Sequence, residues 1–368
     1  MSTILFFPRL TGFLLALHLI MMFFPSPTHA YQENACPVFA DFPLPESLSL
    51  CGEPMPLENR WVREMLDREF TVAVWDRAQV FMWLKRAGRY FPYIEKKLSE
   101  AGFPEDLKYL AVAESSLITN IISRKGAAGT WQFMPRTGQL NGLRKDHSMD
   151  ERRDFELSTE AALRHLKRLK RMFGAWTLAL AAYNCGESRL DKEIKKQKVR
   201  DYYRLNLPTE TERFIFRIAA AKIIMKNPKR YGYTLAPERV YRPIKCDTVP
   251  VNIRTRIHIT DMALSLGTNL KVLKDLNPQI IGYYLPMGRY RLKVPSGKGV
   301  KMPAVLKRLA HSSPRGSMRA SNSHYIVQPG DTLSKISRKT GVPLGTLRKL
   351  NGIHGSALKI GQKIRLMP

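Results

Sequence analysis

The sequence of 368 residues predicts a mainly α-helical domain followed by two small α+β modules. Between about residues 59 and 231, apolar residues recur at the 3.6-residue spacing of amphipathic helices, and β-branched runs are few. After Pro243 the sequence changes to short β-like runs and small helices. Two segments of this later region each have an apolar helix, a Leu-Asn pair, a loop and a closing strand, which is typical of a repeated module.

Five segments of the helical region place apolar residues on one predicted helix face. They are residues 76–101, 105–119, 158–173, 175–183 and 209–227. The later region divides into a module at 244–296, a linker at 297–322 and a second module at 323–368. The linker is rich in Ser, Arg, Lys and Gly and shows no periodicity.

Residues 1–30 have the pattern of a secretory signal peptide. Arg9 precedes an apolar run that ends at Phe24 and is shorter than the ~20 residues of a membrane span. Thr28 and Ala30 fit the −3 and −1 positions of a cleavage site. An uncleaved membrane anchor stays open as an alternative. No Cys follows the run closely enough to predict a lipid-modified N-terminus. From the signal-peptide pattern as a whole, we expect an exported protein.

Residues 31–87 begin with a stretch rich in Pro and turn residues and are predicted to wrap the domain that follows. Four cysteines, at positions 36, 51, 185 and 246, are too few for a disulfide framework. A Cys36–Cys51 pair and four free thiols both stay open. No Cys/His cluster has metal-ligand spacing, so we expect neither a metal site nor a cofactor.

The chain is strongly basic, with 60 Lys and Arg against 31 Asp and Glu and a net charge of +29. Such a charge favours a polyanionic partner. Predicted export argues against nucleic acid. Cell-envelope polymers are also anionic, because peptidoglycan stem peptides carry carboxylates and outer leaflets carry phosphates. The charge therefore fits a wall partner or a membrane surface, whereas the sequence makes no prediction about oligomeric state.

Glu114 lies on the apolar face of a predicted helix. At about 100° per residue, it shares that face with Leu107, Leu110, Ala111, Leu117 and Ile118. Removing an unpaired carboxylate from water is costly, so such a group tends to keep its proton. A carboxyl held neutral near pH 7 can act as a general acid. The alternative is a buried Glu neutralised by an Arg from elsewhere.

Three further motifs follow Glu114 along the chain. The first runs from Ser123 through two glycines to Trp131-Gln132-Phe-Met134-Pro. Glycines permit a positive φ or a close backbone approach in such a loop. Trp131 offers an apolar face of the kind that sugars pack against, and the alternative is a Trp that belongs to the core.

The second motif, Ala-Tyr183-Asn184-Cys-Gly186, ends an apolar helix with a C-terminal Gly. The third, Leu-Pro-Thr-Glu210-Thr211, starts another helix. Together with Glu114-Ser, these motifs in this order resemble the lytic transglycosylase (soluble-lysozyme-like) domain, which is related to goose-type lysozyme. The resemblance covers about residues 88–227 and implies a mainly α lysozyme-like domain, for which we predict the bounds 88–231.

The resemblance implies roles for seven residues. Glu114 would be catalytic, Ser123 and Gln132 would contact the sugar or its acetamido group, Met134 would shape the pocket wall, Tyr183 would place its hydroxyl near Glu114, Asn184 would cap a helix end or contact the ligand, and Glu210 would order the site. The family often has Leu-Met before the Gln, where this chain has Thr-Trp131, so that subsite departs from the pattern.

Residues 323–368 resemble a LysM module, a βααβ fold that binds glycans containing N-acetylglucosamine. Either Asp331 or Thr332 would cap the first helix. The residues that would bind glycan are Gly330, Asp331, Thr332, Leu333 and Asn351. Residues 244–296 match only in part, because the Gly-Asp-Thr-Leu turn is absent, so we expect a degenerate copy.

The resemblance implies that the chain cleaves the bond between N-acetylmuramic acid and N-acetylglucosamine without water, at the periplasm or cell envelope. A retaining glycosidase normally needs a second carboxylate about 5 Å from the acid. Glu105 and Asp106 lie off the face of Glu114, so one residue would serve as both acid and base. A hydrolase of the same bond and a non-catalytic wall-binding protein are the alternatives.

Overall fold

The computed structural model describes residues 41–312, 324–340, 342–355 and 357–366. The predicted signal peptide at 1–30, Cys36 and the end of the predicted linker lie outside the described residues. Within the described part of the chain, the prediction of a mainly α-helical domain followed by α+β modules is confirmed.

The helical domain is preceded by a hairpin of two short antiparallel strands, β1 (Leu48–Leu50) and β2 (Glu53–Met55). Its helices are α1 (Arg60–Trp75), α2 (Arg77–Glu100), α3 (Lys108–Ser115), α4 (Pro135–Leu140), α5 (Phe155–Phe173), α6 (Trp176–Cys185), α7 (Glu187–Gln197) and α8 (Thr209–Lys226). The five helical segments predicted from periodicity correspond to α2, α3, α5, α6 and α8.

Helix α1 falls inside the segment that was predicted to wrap the domain. It packs along α8, and Leu66 and Phe70 are fully buried. The ring of Phe70 meets Tyr231 edge-on, with 5.3 Å between centroids. The sequence prediction was therefore wrong from residue 60 onward, since the apolar face of α1 is part of the core.

Helix α3 ends at Ser115, four residues earlier than periodicity predicted. Ser116 and Leu117 adopt left-handed backbone angles, with φ of 53° and 61°, which non-glycine residues adopt only when other contacts hold them. Three groups of α2 supply such contacts. The Ser116 hydroxyl accepts hydrogen bonds from Gln79 Nε2 at 2.7 Å and Trp83 Nε1 at 3.0 Å, and its carbonyl accepts one from Arg86 Nη1 at 3.1 Å.

The first module consists of two helices, α9 (Ile259–Ser265) and α10 (Leu270–Leu276), between antiparallel strands. Strand β3 (Cys246–Ile253) pairs with β6 (Gly288–Pro295), and β4 (Ile257–His258) pairs with β5 (Tyr284–Leu285). The second module has α12 (Leu333–Thr340) and α13 (Leu344–Asn351) between β7 (His324–Ile326) and β8 (Lys363–Arg365). The bounds 88–231, 244–296 and 323–368 stay predictions.

The Leu-Asn pair has the same structural role in both modules. In the first, Asn277 Nδ2 donates to the carbonyls of Leu273 and Lys293, and its Oδ1 accepts from the Lys293 N–H at 2.9 Å. In the second, Asn351 joins Leu347 and Arg365 in the same way. The shared pair therefore ties the second helix to the closing strand.

Part of the predicted linker is a helix. Helix α11 (Met302–Ser312) places Met302, Val305 and Leu309 in the apolar core of the first module. Their i, i+3, i+7 spacing matches one helix face. The prediction of an aperiodic linker was wrong for this part because Lys and Arg between these positions obscure the pattern.

No helix in the described ranges is long and apolar enough to cross a lipid bilayer.

Shortening Met302 tests whether α11 is an integral part of the first module. Met302 is fully buried, so Met302→Ala should lower the free energy of unfolding by about 2–4 kcal/mol. Val300, two residues away, is 84% exposed, and Val300→Ala should change it by no more than about 0.5 kcal/mol. Chemical denaturation of the full chain measures both, and equal effects of the two substitutions would contradict the packing.

Candidate active site

Glu114 occupies the last turn of α3 and is partly buried. Among the described residues, no side chain forms a hydrogen bond or ion pair with its carboxyl. Burial raises the pKa of Glu114 to about 8; the nearby Arg217 guanidinium lowers it and the Glu210 carboxylate raises it further. The structure therefore favours a protonated carboxyl at neutral pH over a glutamate neutralised by an ion pair.

Arg217, the cation whose charge acts on Glu114, forms an ion pair with another residue, Glu210. Arg217 lies seven residues after Glu210 on α8, so the two side chains share a helix face. Its Nη2 donates to the Glu210 carboxylate at 2.5 Å, and this bond is the main cause of the lowered pKa of Glu210. Sequence reasoning missed Arg217, although the i, i+7 spacing from the Glu-Thr motif was a usable signal.

The loop after α3 is held against the helix end. The Ser115 hydroxyl donates to the Thr130 carbonyl at 2.7 Å. Gln132 has a φ of 46°, and its side-chain amide donates to the Gly129 carbonyl at 2.8 Å. The partly buried Gln132 side chain is thus fixed in orientation by its own loop.

Gly129 permits a close backbone approach. Its φ is 81°, and a Cβ at this position would lie 1.7 Å from the Arg152 carbonyl oxygen. Arg152 is itself buried and donates through Nη1 to the carbonyls of Gly126 and Phe133, both at 2.8 Å. Its Nε and Nη2 donate to the Asp150 carboxylate at 2.7 and 2.6 Å. Sequence reasoning did not find this buried Asp150–Arg152 pair, which fixes the loop through its main-chain carbonyls.

Trp131 does not offer its ring to a sugar. The side chain is fully buried, and its Nε1 donates to the Thr159 hydroxyl at 2.9 Å. The expectation of a sugar platform was wrong, and the alternative of a core Trp is correct. The partner lies 28 residues away on α5, so no local signal predicted it.

Tyr183 links the second motif to this loop. Its hydroxyl donates to the Trp131 carbonyl at 2.7 Å. Burial and the adjacent Glu114 charge keep the pKa of Tyr183 well above its usual value, so the phenol stays protonated. His165 packs on the Tyr183 ring at 5.3 Å between centroids, and burial lowers the pKa of His165 to about 4. A neutral, aromatic surface therefore lies beside Glu114.

The remaining predicted site residues are distributed around this centre. Asn184 Oδ1 accepts from the Thr211 hydroxyl at 2.9 Å, which joins the second motif to the third at the start of α8. The Ser123 hydroxyl accepts from the Ala127 N–H at 3.0 Å and is half-buried. Met134 is 44% exposed at the start of α4. The structure thus assigns Asn184 and Ser123 local hydrogen bonds, and leaves Met134 open to solvent.

In the second module, two of the predicted glycan-binding residues, Asp331 and Thr332, form hydrogen bonds at the start of α12. Thr332 caps α12 by accepting from the Lys335 N–H at 3.2 Å. The Asp331 carboxylate accepts from Lys339 at 2.8 Å, Tyr325 at 2.7 Å and the Gln328 N–H at 2.9 Å, which lowers the pKa of Asp331 to about 2.

One residue of that set belongs to the interior. Leu333 is buried in the module core, so its prediction as a glycan contact does not fit this position. Asn351 is partly buried and spans the helix and strand described above, and its role as a glycan contact stays a prediction. Gly330, with a φ of 77°, forms the turn before Asp331 and is exposed.

Within the described residues, no group of three or more His, Cys, Asp or Glu side chains could hold a metal ion. Cys51, Cys185 and Cys246 are free thiols.

Comparisons with known proteins agree with both resemblances in the sequence. Residues 92–206 match the Transglycosylase SLT domain family, and residues 325–366 match the LysM domain family. The chain is 33% identical over 292 residues to membrane-bound lytic murein transglycosylase D of Escherichia coli K12, which covers 76% of this chain. The chain spans 64% of the length of that relative.

Two further matches are shorter. An autolysin of Enterococcus faecalis is 46% identical over 43 residues, which is 12% of this chain and 6% of the autolysin. The crystal structure of the 70 kDa soluble lytic transglycosylase of Escherichia coli aligns with 42% of this chain and 27% of its own, at 19% identity and a TM-score of 0.32.

Adding one methyl group to Gly129 tests whether the close approach to Arg152 holds the loop. Gly129→Ala places a Cβ against a main-chain carbonyl, so we expect the free energy of unfolding to fall by at least about 3 kcal/mol. Gly126→Ala is the control, since Gly126 has a similar φ of 86° but no heavy atom within 4 Å of the added Cβ. It should cost about 1–2 kcal/mol. Denaturant titration compares the two, and a smaller effect at Gly129 would refute the steric argument.

Proposed function

We infer, from the membership of residues 92–206 in the SLT transglycosylase domain family and of residues 325–366 in the LysM domain family, that the chain is a peptidoglycan lytic transglycosylase. The observation that supports this proposal most directly is the partly buried, unpaired Glu114 carboxyl with its raised pKa. A carboxylic acid that is still protonated near pH 7 can donate a proton to a glycosidic oxygen. The target is the β-1,4 bond between N-acetylmuramic acid and N-acetylglucosamine.

Cleavage proceeds in two proton transfers at one residue. Protonated Glu114 gives its proton to the leaving glycosidic oxygen as the bond to the anomeric carbon breaks. The acetamido oxygen of the same muramoyl residue stabilises the positive carbon. The Glu114 carboxylate then takes the proton from the C6 hydroxyl, whose oxygen bonds to the anomeric carbon. The products are a strand with a new N-acetylglucosamine end and a strand with a 1,6-anhydromuramoyl end, and no water is consumed.

The arrangement around Glu114 favours this intramolecular route. Glu210 is the carboxylate whose charge acts on Glu114. It is exposed and forms an ion pair with Arg217, which keeps it ionised. A carboxylate held in this way is a weaker candidate for a nucleophile or for activating water. A substrate group therefore supplies what a second carboxylate supplies in other glycosidases.

The other site residues bind and orient the sugar in this proposal. Gln132 presents an oriented amide, and Ser123 and Met134 form the accessible edge of the loop. Tyr183 keeps the loop beside Glu114 through its bond to the Trp131 carbonyl. Asn184 acts through Thr211 and positions the start of α8, and Glu210 holds Arg217.

The LysM domain would hold the chain on the wall by binding glycan through the exposed turn around Gly330 and Thr332. Together with the predicted signal peptide, a wall-binding module supports a location in the periplasm or cell envelope. The basic charge of the chain favours its association with anionic wall polymers.

Replacing Glu114 with Gln removes the proposed acid and base while keeping the shape of the side chain. Glu114→Gln should lower the rate of peptidoglycan cleavage at least about a hundredfold. Glu105→Gln is the control, because Glu105 is 70% exposed and lies beside Lys108. The cleavage rate of this variant should equal that of the wild type. Mass spectrometry of the wild-type digest should show anhydromuramoyl ends. Reducing muramoyl ends would instead identify a hydrolase, and no cleavage at all would indicate a binding protein.

The same substitution should not weaken the fold. Because the folded-state pKa of Glu114 is raised, its contribution to stability is complete at low pH and is lost as pH rises toward about 8. Gln cannot ionise, so the variant should be more stable than the wild type at pH 7, by roughly 1–3 kcal/mol. A lower melting temperature for the variant would mean that lost activity reflects misfolding.

The pH dependence of cleavage tests the electrostatic setting of Glu114. Activity should fall as pH rises through about 8, because the acid loses its proton there. Arg217 lowers the pKa of Glu114, so Arg217→Gln should move this fall to higher pH, whereas Arg217→Lys should leave it nearly in place. Initial rates between pH 5 and 10 on soluble glycan strands measure the shift. A shift to lower pH in Arg217→Gln would contradict the assignment.

A further inference from the structure

We propose that Arg153, Lys274 and Tyr283 form a substrate subsite at the junction of the helical domain and the first module. Its ligand is a carboxylate of the peptide stems carried by peptidoglycan strands. The identity of the substrate rests on the proposed function, whereas the site itself rests on the contacts described below.

The junction is held in a fixed geometry by main-chain hydrogen bonds. The Asp150 N–H donates to the Gln279 carbonyl at 2.8 Å, and the Ile281 N–H donates to the Ser148 carbonyl at 2.8 Å. Met149, between them, is buried in the apolar core of the first module. Residues from both parts can therefore form one preorganised site.

Side-chain contacts add to this attachment. Lys293 Nζ lies 3.0 Å from the Glu156 carboxylate, and Arg144 Nη1 donates to the Tyr290 hydroxyl at 3.2 Å. Each of these cations has a carboxylate partner, since Arg144 also pairs with Asp146 at 2.6 Å. The cations that attach the module are thus neutralised.

Two other cations at the same junction, Arg153 and Lys274, are not neutralised in this way. Within the described ranges, neither Arg153 nor Lys274 has a carboxylate partner. Arg153 comes from the helical domain and Lys274 from α10, and the hydrogen bonds of the junction bring their segments together. Burial, and to a lesser extent the Arg153 charge, lowers the pKa of Lys274. The Arg153 Nε is buried and has no hydrogen-bond acceptor. Two adjacent cations with an unused donor are costly unless an anion binds between them.

Aromatic rings border this cationic pair. The Tyr283 ring is 58% exposed, and the Lys274 ammonium lies 5.2 Å from its centroid. The His258 ring is nearly parallel to the Tyr283 ring, with 6.1 Å between centroids and an interplanar angle of 12°. Lys274 is also oriented by a hydrogen bond to the Ile281 carbonyl at 2.9 Å. A flat, exposed surface beside two cations suits a ligand that has both apolar and carboxylate groups.

The subsite adjoins the loop of the catalytic domain. The Arg153 main-chain nitrogen lies 3.3 Å from the position of a Cβ on Gly129, so the backbone that carries Arg153 adjoins the loop, and the Gly129 carbonyl orients Gln132. A strand whose sugar contacts that loop can extend a stem peptide over Arg153 toward the module. Stem carboxylates fit the unpaired cations, and the position next to the loop favours a group on the substrate over a free anion or a lipid headgroup.

Charge removal at Lys274 and Arg153 tests the subsite on two substrates. One is soluble peptidoglycan strands with stem peptides, and the other is the same strands after enzymatic removal of the peptides. On the first, Lys274→Gln and Arg153→Gln should each lower kcat/KM about tenfold, mainly through KM. On the second, both variants should match the wild type. Lys274→Arg should keep most of the activity.

Lys271→Gln is the matched control, because Lys271 lies one turn earlier on α10 and pairs with Asp275. It should have no effect on either substrate. Equal losses on both substrates would show that the cations contact the glycan or only support the fold, and no loss would exclude the subsite; either result overturns the proposal.

Failure of the proposed function is distinguishable from failure of the subsite. If the wild type cleaves neither substrate, the proposed lyase activity fails. The subsite is then judged by the dissociation constants of the full chain carrying Glu114→Gln, with and without Lys274→Gln, for the same two strand preparations. A tenfold weakening limited to the strands with stems supports the subsite, and an equal or absent weakening overturns it. Anionic phospholipid vesicles as competitor should leave these values unchanged.

Discussion

The buried ion pair between Asp150 and Arg152 connects three parts of the structure. Both side chains are almost wholly excluded from solvent, and they are joined by two hydrogen bonds. The remaining donors of Arg152 hold the carbonyls of Gly126 and Phe133, while the main chain of Asp150 pairs with the first module. Loss of either partner of such a pair costs about 3–5 kcal/mol, because a buried charge is left alone. The loop after α3 and the module attachment therefore depend on the same interaction.

The left-handed end of α3 explains how a carboxyl can be desolvated without a partner. The helix stops one residue after Glu114, and Ser116 is held in a strained conformation by three donors from α2. Such strain of about 1–3 kcal/mol persists only where surrounding contacts over-determine the backbone. Because Arg217 pairs with Glu210 on α8, no cation among the described residues forms an ion pair with the Glu114 carboxyl. The fold thus maintains a raised pKa at one position through constraints on its neighbours.

The sequence predicted the features that depend on local pattern. The apolar stripe pointed to Glu114, whose pKa burial raises, and the order of four motifs agrees with the domain family that residues 92–206 match. The features that it did not predict depend on distant partners. Trp131 is buried because Thr159 accepts its N–H, and α3 ends early because Gln79 and Trp83 bind Ser116. The helix at Met302 was missed because Lys307 and Arg308 interrupt its apolar positions, and only the core of the first module reveals their common face.

The two modules share the hydrogen bonds of the Leu-Asn pair but differ in the turn before the first helix. Asn277 and Asn351 make equivalent bonds, so the link between helix and closing strand is retained in both. The second module also has the Asp331 network, in which Tyr325 and Lys339 fix the first turn. The first module lacks that turn but shares its core with Met149 and α11. A small core gains stability from such added burial, so attachment to the helical domain stabilises a module that lacks this turn.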